Sequence, residues 1–337
     1  YSETSTIIVP LTRIGESGVR ILSDGIDEKY SESSSGNVQL NWETSEPRTI
    51  RIIGDLEQFS NNADAVDSSR KITSAKIIGM PTLTDVSRMF AYCDSLENID
   101  LSSFDTSNLK NMEAMFLDCV SLSSVDLSNF SLLNVSNMSR LFAYCNSLET
   151  VNFENTTTHD LESVGGMFEG CSSLQSINIS SFDTPYLDNT SSMFSGATSV
   201  TDIIFGNNFY THSVTDMSSM FGTCSELVNL DISSFDTSSV YNMTDMFSEC
   251  IKLVDLDISE WCVGIISVVP DSFATNSPFY NNSENQPSWG AGCTPTPTPT
   301  QTPLFTFNPP VPTPSNVDYY GGPDFGGGNT YANTFGD

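Results

Sequence analysis

Three regularities predict an α/β solenoid, a stack of coils that each contribute one short parallel strand and one short helix. A Met-Phe pair returns at a fixed interval, the residues that follow it include a stretch alternating with period two, and those that precede it are spaced like one face of a helix. A unit this small cannot bury its own apolar edge, so successive copies have to stack.

The pair falls at Met89-Phe90, Met115-Phe116, Leu141-Phe142, Met167-Phe168, Met193-Phe194, Met220-Phe221 and Met246-Phe247. Successive phenylalanines are 26, 26, 26, 26, 27 and 26 residues apart, so one residue is inserted before Phe221. Ser272-Phe273 reads as an eighth, decayed copy. The seven phenylalanines are expected to form a core ladder, in which offset-stacked rings add about 0.5–1.5 kcal/mol per pair beyond area burial.

The strand half of the unit reads L-x-x-L-x-L-x-x-F, as in Leu96, Ile99, Leu101 and Phe104, and again in Leu122, Val125, Leu127 and Phe130. Its centre alternates, as a strand with one buried face does. The other half, exemplified by Val240, Met243, Met246 and Phe247, places apolar residues at i, i+3, i+6 and i+7. That is a helical stripe, and Asp236, Thr237 and Ser238 supply oxygen acceptors suited to cap its first turn. One strand and one short helix in about 26 residues is the size and layout of a leucine-rich repeat.

The flanks differ from the repeats. Residues 1–80 hold β-like segments such as Ile7-Ile8-Val9, Val19-Arg20-Ile21-Leu22, residues 38–42 and residues 49–54, separated by Gly, Ser and acidic turns. A β-rich N-terminal capping region is expected there, because a solenoid end would otherwise expose its core. Lys76-Ile77-Ile78 is expected to join the repeat sheet as its first strand. The solenoid of about seven repeats then occupies residues 81–260, a C-terminal cap 261–293, and a Pro/Thr linker with a Gly/aromatic tail 294–337. Alternating Thr and Pro make the linker a stiff, extended spacer and a candidate for O-glycosylation. The tail carries spaced aromatics, Tyr319, Tyr320, Phe325, Tyr331 and Phe335, as candidate assembly contacts, with folding back onto its own solenoid as the other reading.

The unit C-x-S-L-x-x-[VIL]-D-[LI]-S-x-F-D-T-S-x-[VL]-x-x-M-x-x-M-F resembles that of the BspA-like leucine-rich-repeat surface proteins over about residues 81–293. The likeness extends to the ending Trp261-Cys262-Val263 … Phe273-Ala274-Thr275-Asn276-Ser277 … Pro287-Ser288-Trp289-Gly290-Ala291-Gly292-Cys293, which looks like that family's C-terminal cap. Departures are local: Ala197 replaces the repeat Cys, Thr156 replaces the strand-side Phe, and residues 155–161 lose the Asp-Thr-Ser turn. The resemblance implies the fold and an exterior location, and a function described only as surface, adhesive or structural.

Composition narrows the function classes. Lys and Arg total 12 against 42 Asp and Glu, a formal net charge of -30 over 337 residues. Nucleic acids and anionic membranes need a basic footprint, so neither is an expected partner. A strongly acidic surface suits a salty, calcium-rich exterior that screens self-repulsion. No apolar run approaches the roughly 18 residues that cross a bilayer. The sequence starts at Tyr1 with no basic-then-apolar segment before it, and the expectation is secretion with a signal peptide removed.

The candidate sites follow the repeat. Cys93, Cys119, Cys145, Cys171, Cys224 and Cys250 each stand three residues after a ladder Phe. Thiols about 5 Å apart are compatible with disulfides; a column of small buried side chains is the alternative, and Ala197 in the same slot favours it. Cys262 and Cys293 stand outside the column and are read as a disulfide closing the cap. Asp100, Asp126, Asn152, Asn178, Ile204, Asp231 and Asp257 form the outward strand column, a candidate concave face for a partner, a glycan or calcium. The competing reading is a solvated face whose Asp and Asn serve turns. Among the N-x-[ST] sequons, Asn134, Asn155, Asn189, Asn242 and Asn281 are the candidates for N-glycosylation.

No C-x-x-C pair exists and the only histidines are His159 and His212, so no metal site and no resident cofactor are expected. No Ser-His-Asp order, phosphate loop or H-E-x-x-H points to catalysis. The expected function is therefore a non-catalytic structural or adhesive protein of an extracellular surface, self-associating or meeting another surface protein through its flanks. A monomeric recognition module using the concave face is the alternative.

Overall fold

The computed structural model describes residues 5–23, 26–31, 36–42, 50–59, 74–79 and 83–291. The chain divides into two units, Tyr1–Thr294 and Pro295–Asp337, and everything described lies in the first. The tail, with Tyr319, Tyr320, Phe325, Tyr331 and Phe335, lies outside the described residues, as does Cys293.

The first four strands are β1 (Ser5–Ser23), β2 (Ile26–Ser31), β3 (Gly36–Trp42) and β4 (Ile50–Phe59). They form one antiparallel sheet in which the long β1 pairs with each of the other three. The next strand, β5 (Ser74–Gly79), pairs in parallel with β6 (Asn98–Phe104), so it opens the repeat sheet.

From there every strand is parallel to its neighbour. β7 (Ser124–Asp126) pairs with β8 (Thr150–Asn152), and β9 (Ser176–Ile179) with β10 (Asp202–Phe205), each one repeat apart. The last pairing, Asp202 to Asn229 in β11 (Asn229–Leu230), is one residue longer. The extra residue sits between Phe205 and Phe209. There the Gly206 backbone lies so close to the previous coil that a Cβ would stand 2.0 Å from the Ser180 carbonyl oxygen, so only glycine fits.

The expected helix in each repeat is not formed. Among the described residues the only helical segments are two short 3-10 turns in the cap, Pro278–Asn281 and Ser283–Asn285. The helical half is instead a run of tight turns. In the first coil the amides of Met89, Ala91, Cys93 and Leu96 each bond the carbonyl three residues back. The intervening amides of Val86, Arg88, Phe90 and Tyr92 point along the stack to the carbonyls of Asn111, Glu113, Met115 and Leu117. Local turn and inter-coil ladder thus alternate residue by residue, which satisfies the backbone without a helix.

This geometry needs left-handed residues, and two recur per coil at the third position of successive turns: Arg88 and Tyr92, Ala114 and Asp118, Arg140 and Tyr144, onward to Ser272 and Asn276, all near φ +60. An α-helix tolerates no such residue. The Asp-Thr-Ser segment therefore caps no helix. Asp105 and Asp236 accept the amides of Ser107 and Ser238, each two residues on, as an Asx turn does.

The core is a set of columns. Leu96, Leu122, Leu148, Leu174, Val200, Leu227 and Leu253 are fully buried, as are Met115, Leu141, Met167, Met193, Met220 and Met246. The rings of Phe90, Phe116, Phe142, Phe168, Phe194, Phe221 and Phe247 stack with centroids 5.4–5.9 Å apart and planes within 14°. The stack ends at Phe247, which Phe273 and Phe279 meet edge-on at 84° and 77°. The eighth repeat is one residue out of the expected register. Phe273 supplies the carbonyl that Met246 supplies one coil earlier, so Ala274 fills the Phe column. A compensating exchange occurs near Thr156: Phe153 stands where every other coil but that of Phe205 has Leu or Ile, and its ring meets Phe182 at 5.1 Å.

Candidate functional site

The strand face carries the outward column. Asp100, Asp126, Asn152, Asn178, Asp231 and Asp257 each use Oδ1 to accept the backbone amide two residues on, from Ser102, Ser128, Glu154, Ser180, Ser233 and Ser259, at 2.9–3.1 Å. One carboxylate or amide oxygen in each is thus engaged in turning the chain out of its strand. Hydrogen bonds from the Ser128 amide and hydroxyl hold the Asp126 carboxyl below its usual range. The Ser233 hydroxyl and amide do the same to Asp231, and Ser259 to Asp257. Ile204 interrupts the column inside β10, half-exposed, in the coil that carries the insertion.

At the middle of this face lies a shallow groove of about 630 Å³ lined by Asp126, Thr150, Asn152, Glu154, Ser176 and Asn178 among others. Its walls are hydroxyl, amide and carboxylate groups presented by β7, β8 and β9. Thr150 and Ser176, two of the ten polar residues that line it, are absent from the sequence-derived set; their place two residues before Asn152 and Asn178 on the same strand face was the available signal. Among the described residues no three His, Cys, Asp or Glu side chains converge to hold a metal ion, and no helix is long and apolar enough to cross a membrane.

Two further polar columns tie the coils together. Asp85, Asn111, Asn137, Ser163, Asn189, Asp216 and Asn242 bridge in parallel from one coil to the next. Asn189 Oδ1 accepts from Ser191, and Asn242 donates through Nδ2 to Asp216 at 3.2 Å. These two sequon asparagines are thus half-buried parts of the scaffold, whereas Asn134, Asn155 and Asn281 are exposed. The second column is threonine, with Thr106, Thr158, Thr184, Thr211 and Thr237 all buried. The Thr211 hydroxyl donates to the Asp236 carbonyl at 2.9 Å and accepts the Asp236 amide at 2.8 Å.

The repeat cysteines are six buried free thiols. Each from the second onward donates through Sγ to the carbonyl of a ladder Phe in the preceding coil, as Cys119 does to Phe90 at 3.1 Å and Cys250 to Phe221 at 3.1 Å. Ser277 takes the same place in the eighth coil, donating to the Phe247 carbonyl. Burial, with Asp94 adding to it, pushes the Cys93 thiol up to about 12, and burial pushes Cys250 to the same level. Cys262 is not one of these free thiols.

Coil-on-coil pairing across this whole span is matched by a family model. The family is described as "Mycoplasma protein of unknown function, DUF285", and it matches twice, over residues 56–177 and 162–289. The chain belongs to this family. The two overlapping matches within one DUF285 chain fit its internal repetition, since each spans several coils. No curated protein matches the chain.

Proposed function

We propose that this DUF285 protein is a non-catalytic structural or adhesive component of an extracellular surface, one of the BspA-like surface proteins, and a subunit of a filament, fibre or coat. The observation that carries this reading is the use made of its polar groups. Asp, Asn, Thr and Cys side chains recur from coil to coil and bond the backbone of their own or the adjoining coil. Repetition of that kind builds a strut rather than a site of chemistry, and a strut offers long surfaces for association. An exterior location is supported by the acidic balance and by the cap resemblance, with Cys262 and Cys293 as a disulfide and glycans on Asn134, Asn155 and Asn281.

Electron microscopy and light scattering of the full chain test the reading. Extended or multimeric particles are expected, and deleting residues 294–337 is expected to leave monomers. A wild-type protein that stays monomeric at every concentration overturns it.

The polar groove on the strand face favours a second reading, a recognition module for a glycan or protein. Asp126→Asn keeps the turn acceptor and removes the charge, so it separates binding from folding. Loss of partner capture by a protein carrying this change together with Thr150→Ala supports recognition; retained capture places the contact elsewhere.

A further inference from the structure

Near the end of the stack several of the exposed apolar side chains of the described surface gather in one groove. Tyr241, Ile265, Val268 and Val269 are 64%, 60%, 71% and 46% exposed, and they line a groove of about 350 Å³ with Pro270 as part of its wall. The groove arises where the bridging ladder stops. Asn242 is the last member of that ladder, and the next coil offers Val268, Val269 and Pro270 in place of a bridging Asn. Four large apolar side chains held in water at one edge are what an interface presents.

The occupant is indicated by where the described chain ends and by charge. Gly290 donates its amide to the Val263 carbonyl at 3.3 Å, and its backbone passes so close to Ser267, a groove residue, that a Cβ would come within 3.2 Å of Ser267 Cα. The described chain stops at the following residue. From Asn285 to Val317 the sequence holds no charged residue, although the whole chain carries -30. The groove is nearly neutral, with Asp271 its one charged lining residue. Acidic surfaces of two copies repel, and a neutral segment entering a neutral groove is the contact that avoids this.

Within that neutral run, Leu304, Phe305 and Phe307 form the first apolar cluster. Residues 294–303 alternate Thr and Pro for most of their length, and such sequence favours an extended path of about 3.1 Å per residue.

We propose that the groove formed by Tyr241, Ile265, Val268 and Val269 receives the Leu304, Phe305 and Phe307 segment of a second copy. The contact is heterologous, so each copy gives a tail and takes one, and copies add head to tail into a ring or a filament. This rests on the assembly reading and names its contact.

The test uses full-length chains in light scattering over a concentration series. Phe305→Ser with Phe307→Ser lies outside the solenoid and leaves its melting unchanged; it is expected to reduce the protein to monomers. Val268→Ser with Val269→Ser is expected to do the same, with a melting curve confirming that it folds. Mixing the two variants restores one intact groove and one intact tail, so 1:1 dimers and nothing larger are expected. Undiminished association of the tail variant overturns this contact while leaving assembly in place, and monomers in the mixture overturn exchange between copies. A wild type that never associates removes the assembly reading itself.

Discussion

At Gly170 two demands meet on one residue. Its φ is +72, which a side chain disfavours, and a Cβ there would lie 2.6 Å from the Tyr144 ring of the preceding coil. Tyr144 is held over it by its hydroxyl, which donates to Glu169 at 2.6 Å. Gly196 has the same left-handed conformation, but its nearest contact is an ordinary 3.4 Å. Gly196→Ala should therefore lose about 1 kcal/mol from the backbone alone, and Gly170→Ala about 1–3 kcal/mol because the ring must also move. Urea titrations of both variants read the difference, and adding Tyr144→Ala should bring the Gly170 variant level with the Gly196 variant. The thiols give a second residue-level expectation. Cys93, Cys119, Cys171, Cys224 and Cys250 are all raised by burial, so an unfolded chain ionises these thiols at lower pH than the native one. Their contribution to stability is present below the unfolded value near 9 and is lost as pH rises towards 12. Melting temperature should fall steadily over that window, and a variant with Cys119, Cys171 and Cys224 changed to Ala should show a shallower fall.

At the scale of the element, the strand half was legible and the other half was misread for an identifiable reason. Apolar residues at i, i+3, i+6 and i+7 mark one face of a helix, but consecutive three-residue turns place Val86, Met89, Phe90 and Cys93 inward on the same spacing. What separates the two is the left-handed residue in each turn. Glycine announces it only at Gly166, Gly170 and Gly196, while Arg88, Ala114, Tyr144 and Asp245 conceal it. The outward column was legible as a face, and its D-x-S spacing already held the Asx turn. The threonine column was not legible, because Asp-Thr-Ser suits a helix cap equally well. The energetic weight of that column can be measured. Thr211→Val keeps the shape but removes a hydroxyl that both donates to and accepts from Asp236, leaving a half-buried amide and carbonyl short of partners. A loss of about 1–3 kcal/mol is expected, whereas Thr201→Val, on the exposed face, should change little.

At the scale of the whole molecule, stability should behave as a sum over coils and their contacts, because each coil touches only its neighbours. Phe168 stacks on Phe142 and Phe194 in the middle of the ladder, whereas Phe90 stacks only on Phe116 among the described residues. Phe168 is also fully sealed, and Phe90 retains 9% of its surface. Removing a central ring therefore empties a closed space and breaks two stacked pairs, a loss of about 3–5 kcal/mol. Removing the first ring breaks one pair at an end that can fray. Phe168→Ala should split calorimetric unfolding into two transitions, since the coils on either side of the gap lose the contact that couples them. Phe90→Ala should keep one transition and lower protection from hydrogen exchange only in the first coils. The placement of the two effects matters more than their size. If both variants lowered a single transition by the same amount, the array would be one cooperative block rather than a chain of coupled coils.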